Sequence, residues 1–148
     1  MVKLIKVVLI LIIGCPFSLT ELYSQVNLLS YKKTEIEETL KTICNNNNDT
    51  YIEYPNGDVH FKGQKEDTYC YFTDDGIFNL MVIMPHTGEL YLSYFAILDK
   101  KYKSLSPFKW YYELTNDLTM YKHLIMVSTG SVSIDNKDKN ILTYKLIE

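Results

Sequence analysis

Histidine, paired aspartate and cysteine are the residues of this chain that could carry a reaction or hold a ligand, and their spacing limits which. There are three histidines, His60, His86 and His123. A histidine does acid-base work only when a second group orients it. His60 alternates with Lys62 against Val59 and Phe61, which turns it toward solvent. His86 follows a strand end and precedes a helix cap, with Glu89 three residues later. H-x-x-E supplies two ligands and no third, and the zinc-protease pattern H-E-x-x-H is absent. His123 sits mid-strand beside Lys122. Each is read as structural. Asp74 and Asp75 in "TDDG" diverge as neighbours in a turn do, and "DNKDKN" puts Lys137 where a calcium loop needs oxygen. There is no G-x-S-x-G, P-loop or G-x-G-x-x-G, and the six glycines are scattered. These patterns assign no catalytic, cofactor or metal-binding residue. A hydrolase remains as the alternative function only if the fold assembles the dispersed set His86, His123, Asp74 and Asp75.

Cysteine raises a different question, because the chain has three. Cys44 falls on the apolar stripe of a helix and Cys70 shares a strand face with Phe72, so both point to a core. They could close a loop of about 25 residues with a disulfide, which the chain-entropy relation values at about 3 kcal/mol. They could equally be two buried thiols acting as small hydrophobes. Cys15 lies in a leader: Lys3 and Lys6 precede the unbroken apolar run Val7 to Ile13, which ends at Gly14, Pro16 and Ser18. This is the pattern of a secretory signal peptide, and the run is shorter than the ~20 residues a spanning helix needs. Cleavage after Ser24 would remove Cys15 and expose Gln25. "IIGC" also resembles a lipobox, which would make Cys15 a lipid attachment site, against which Pro16 stands; a retained anchor is a third fate. The expected organisation is a leader over 1–24, a lead-in over 25–33 and one domain over 34–148. The expected location is periplasmic or extracellular, or membrane-tethered if Cys15 is acylated.

The elements that would position these residues follow from periodicity. Thr34 and Glu37 read as a capping box for a helix with Ile36, Leu40, Ile43 and Cys44 on one stripe. The run "NNNND" ends it and holds the sequon at Asn48. "PNGD" then joins "TYIEY" to "DVHFKG", and "DDG" joins "TYCYFT" to "IFNLMVIM", giving two hairpins. The run Ile77 to Met84 is apolar on both faces, as a central strand is. Thr87 caps a second helix with Leu90, Tyr94, Ile97, Leu98 and Tyr102 inward. "SLSP" breaks it, "FKWYYEL" alternates with Phe108, Trp110, Tyr112 and Leu114 on one face, and "LTMYKHLIMV", "SVSI" and "ILTYKLI" follow, the first two separated at "STG" and the last two at "DNKDKN". The expected class is α+β: an antiparallel sheet of about six to eight strands with two helices on one face.

Composition sets the remaining bounds. The chain has 148 residues, 47% of them hydrophobic, including 13 tyrosines, and a formal net charge of −3, which is one globular domain and not a disordered tail. The negative balance argues against nucleic acid, and the absence of arginine removes bidentate clamps on phosphate or carboxylate. With one sheet face under the helices, the other is free, and Tyr69, Tyr71, Tyr111 and Tyr121 are its candidate binding residues, since tyrosine offers rigid area and a hydroxyl. The same alternation also suits tyrosines that only decorate a solvated sheet. The function expected is that of a small exported, non-enzymatic binding or envelope-associated domain for a protein or glycan partner, as a monomer or as a homodimer paired through sheet faces or edges.

Overall fold

A helix, a four-strand meander, a second helix and a second four-strand meander follow one another along the chain. The computed structural model describes residues 27–147. The leader, Cys15 and the cleavage site at Ser24 lie outside the described residues. Helix α1 is Lys33–Asn46, followed by strands β1 Thr50–Glu53, β2 Val59–Lys62, β3 Glu66–Phe72 and β4 Phe78–Pro85. Helix α2 is Gly88–Lys101, and strands β5 Lys103–Ser106, β6 Lys109–Thr115, β7 Lys122–Ile134 and β8 Lys137–Leu146 complete the chain. The eight strands form one sheet in the order β1-β2-β3-β4-β8-β7-β6-β5, with antiparallel pairing throughout. This is an α+β fold, with the predicted apolar strand β4 at the middle of the sheet.

Cross-strand partners share a face, so the register sorts every strand residue. One face carries the row Val59, Cys70, Met81, Tyr144, Val127 and Trp110. These join Ile36, Leu40 and Cys44 of α1 and Leu90, Tyr94 and Leu98 of α2 in a single apolar cluster. Phe95 of α2 meets Trp110 edge-on at 5.5 Å, and the Trp110 Nε1–H donates to Asp99 at 2.9 Å. Lys33 and Lys41 of α1 lie over the rings of Phe72 and Tyr51 on the same face. On the other face of β4, Leu80 and Val82 are half-buried and Met84 is buried.

Several local readings hold for the stated reason. The α1 stripe is buried as its period requires. Gly57 and Gly76 take φ of 88° and 77° in the two hairpin turns. Thr87 Oγ1 accepts the Leu90 N–H at 3.2 Å and caps α2. Others differ. Thr34 does not cap α1: the helix begins at Lys33, and the Glu35 carboxylate accepts the Lys32 N–H at 2.8 Å. The segment before α1 is pulled into the fold, which moves the cap upstream: Ser30 N–H donates to Phe78 O, and Phe78 N–H to Tyr31 O. "SLSP" does not merely break α2, because its residues pair with β6 as the edge strand β5. "STG" does not separate two strands either. Its backbone is paired inside β7, and the turn lies at Asp135 and Asn136, both with positive φ, which is the two-residue hairpin geometry that follows strand twist.

The lead-in is tied down at its far side by Asn116. This side chain is 2% exposed and donates from Nδ2 to Ser30 Oγ at 3.0 Å and to Ser30 O at 3.3 Å. Its Oδ1 accepts from the N–H groups of Leu118 and Thr119. Leu29, the neighbour of Ser30 in sequence, is fully buried, so residues read as a lead-in contribute to the core.

Candidate functional site

The sheet face opposite the apolar cluster carries the tyrosines. Along one register row lie Tyr71, Leu80, Lys145, Met126, Tyr111 and Lys103, and along the next lie His60, Tyr69, Val82, Thr143, Ser128 and Lys109. Three of the four tyrosines singled out from the sequence, Tyr69, Tyr71 and Tyr111, therefore share one face, with Tyr71 36% exposed. Tyr121 stands in the turn before β7 and is 71% exposed. Strand rows are about 4.8 Å apart, which sets Tyr71 and Tyr111, four rows distant, at about 19 Å with Lys145 midway between them.

Around Tyr69 the rings organise further. The short turn after β1 returns Tyr54 over β2, where its ring lies parallel to His60 at 6.4 Å between centroids, and His60 stacks on Tyr69 at 4.2 Å. Tyr54 Oη and His60 Nδ1 are 3.3 Å apart. Alternation alone turns His60 to this face and predicts exposure; the two tyrosines instead leave it 8% exposed. Burial, then the Asp67 carboxylate, pushes the Tyr69 phenol up from its ordinary range, and burial with Asp58 does the same for Tyr71.

Asp67 gathers the polar groups at one edge of this stack. His60 Nε2, a buried atom without a hydrogen-bond partner, faces Asp67 Oδ1 at 3.6 Å; His86 Nε2 faces Oδ2 at 3.4 Å. The Gly63 N–H donates to Oδ1 at 3.3 Å. His86 Nδ1 lies 3.1 Å from the Gln64 carbonyl. A carbonyl only accepts, so Nδ1 carries a proton, and Nε2 faces a second acceptor. The two nitrogens of His86 thus face the β2–β3 turn at Gln64 and the start of β3 at Asp67, which sets the approach to α2 against them. His86 also lines a half-open pocket of about 340 Å³ with Gln64, Lys65, Thr87, Glu89, Leu90 and Ser93. The Ser93 hydroxyl donates to the Leu90 carbonyl at 2.6 Å. Among the described residues no group of three or more His, Cys, Asp and Glu side chains could hold a metal ion.

The dispersed set considered from the sequence is not gathered. Asp74 and Asp75 occupy the exposed turn before β4 and His86 follows its far end, a separation of about 23 Å along the strand. His123 lies on β7 opposite Leu114, on the apolar-cluster face. The partner His86 does meet, Asp67, was not singled out; the signal for it was the shared phase of His60 and Tyr69 in adjoining strands. Cys44 and Cys70 are both buried free thiols, which corrects the disulfide expectation. The Cys44 thiol donates to the Asp49 carbonyl at 3.3 Å, and burial pushes both thiols up, Cys70 the further.

No helix among the described residues is long and apolar enough to cross a membrane. Comparison of the chain with protein-family models, curated proteins and solved structures finds no match.

Proposed function

We propose that the chain is a small exported, non-enzymatic binding domain whose working surface is the tyrosine-bearing sheet face. The observation that carries this reading is the register that sets Tyr69, Tyr71 and Tyr111 on the face opposite the apolar cluster. Tyrosines on a rigid sheet present flat area and hydroxyls at little entropic cost. The leader read from the sequence supports an envelope or extracellular setting. A hydrolase would have to draw on the His86–Asp67 contact, where His86 Nδ1 is turned to the Gln64 carbonyl and Nε2 to the Asp67 carboxylate.

The test is a screen of the mature chain against immobilised glycans and peptides, repeated with Tyr71→Ala and Tyr111→Ala. Both side chains reach the surface, so the variants keep the fold, and a genuine ligand is lost with either. Binding that survives both substitutions and disappears on filling the pocket with Ser93→Phe would overturn the reading.

A further inference from the structure

The lysines of the sheet are segregated. Every lysine within a strand falls on the tyrosine face: Lys62, Lys103, Lys109, Lys122 and Lys145 on the body of the sheet, Lys137 and Lys139 on the β7–β8 ribbon. The carboxylates in strands are spread over both faces, with Glu53, Glu66 and Asp138 on the apolar-cluster face and only Asp67 and Glu113 beside the seven lysines on the tyrosine face. None of the seven lysines makes an ion pair among the described residues. Six are exposed and Lys139 is half-buried. Lys103 lies over the Tyr111 ring at 5.7 Å. A chain whose formal charge is −3 therefore presents a cationic sheet. Like charges gathered without partners on one face lower stability through repulsion, and they raise the local concentration of anions.

From this segregation we infer that the tyrosine face takes an acidic polysaccharide, a chain of sugar rings bearing carboxylate or sulfate groups. The inference rests on the binding-face reading and names its ligand. Lysines interleaved with tyrosines along the same rows match alternating anionic groups and sugar faces. Tyr71 and Tyr111, about 19 Å apart with Lys145 between them, are too far apart to stack successive bases of a nucleic acid strand, which need adjoining platforms. On the body of the sheet the apolar side chains of this face are mostly half-buried between the lysines, with Leu124 exposed; Val132 and Ile134 are exposed on the β7–β8 ribbon opposite Lys139 and Lys137, so the exposed apolar residues are few and spread among charges, which gives little to insert into a lipid surface.

The experiment measures affinity of the mature chain for heparin as the sulfated probe. Dextran, phosphatidylglycerol vesicles and single-stranded DNA run in parallel, across a salt series. Heparin binding that weakens steadily with salt is expected, and Lys109→Glu with Lys145→Glu should lower affinity about tenfold or more, whereas Lys100→Glu with Lys101→Glu on α2 should change it less than about twofold. Lys109→Gln with Lys145→Gln serves if the reversal impairs folding, with a smaller loss of the same kind. The inference is overturned if heparin is not held at low salt, if the α2 pair matters as much, or if vesicles or DNA bind more tightly than heparin. Neutral glycan binding that depends on Tyr71 would overturn the polyanion while leaving the binding face standing. Indifference of every ligand to both the lysine and the tyrosine variants would remove both.

Discussion

Asn116→Ala should be among the most damaging single substitutions outside the apolar core. The side chain makes four hydrogen bonds, two to Ser30 and two to the turn it begins, and is almost wholly buried. At about 1 kcal/mol net for each bond to a buried group, and less for the turn N–H groups that regain water, the loss is about 3 kcal/mol. In a domain of this size that lowers Tm by about 10 °C. Urea unfolding followed through Trp110 fluorescence measures it, since that residue is the single tryptophan and is 1% exposed. Ser30→Ala removes the Oγ acceptor alone and should cost about 1 kcal/mol. The double variant should lose less than the sum, with a coupling of at least about 0.5 kcal/mol. An Asn116→Ala effect within about 0.5 kcal/mol, or strict additivity with Ser30→Ala, would refute the tie between the segment before α1 and the β6–β7 turn.

Three further outcomes follow from the local structure. Thr87→Ala should cost about 1 kcal/mol as a lost helix cap and Thr34→Ala within about 0.5, with equal effects in urea unfolding contradicting the placement of the α1 cap. Cys44 and Cys70 should resist alkylation in the native chain and both react in denaturant without reductant, by mass spectrometry; two thiols still blocked after denaturation would mean a disulfide. Burial pushes Tyr51 up to about 12 and raises Tyr94 and Tyr112 as well. A group whose folded value is raised adds stability that is complete below its unfolded value and is lost as pH climbs toward the folded one. Urea midpoints should therefore fall as pH rises from about 10 to about 12, and midpoints that stay level would contradict the burial of these phenols.

The elements legible in the sequence were those whose signal is local. The Ile36, Leu40, Ile43 and Cys44 stripe, the "PNGD" and "DDG" turns and the Thr87 cap each rest on neighbours within a few residues, and each appears as read. What was not legible depended on distant pairing. "STG" reads as a separation between strands, yet Gly130 is held in β7 by Ile141 of β8. Thr34 and Glu37 match a capping box, but the pairing of residues 30–32 with Ile77 and Phe78 shifts the cap upstream to Lys32, whose N–H the Glu35 carboxylate accepts. His60 was placed on the correct face and given the wrong environment, because the ring of Tyr54 reaches it only once the first hairpin closes. Net charge argues against nucleic acid and hides the distribution of charge, whereas period-2 alternation, summed over strands in register, places all seven strand lysines on one side.

The central claim is that ligand meets the tyrosine and lysine face of the sheet. Amide and side-chain NMR shifts of residues 25–148, followed during titration with a heparin oligosaccharide, test it. Saturable changes centred on Tyr71, Tyr111, Met126 and Lys145 are expected, with α1 and α2 undisturbed. Changes centred instead on the pocket between Gln64 and Ser93, or along the helices, would contradict it.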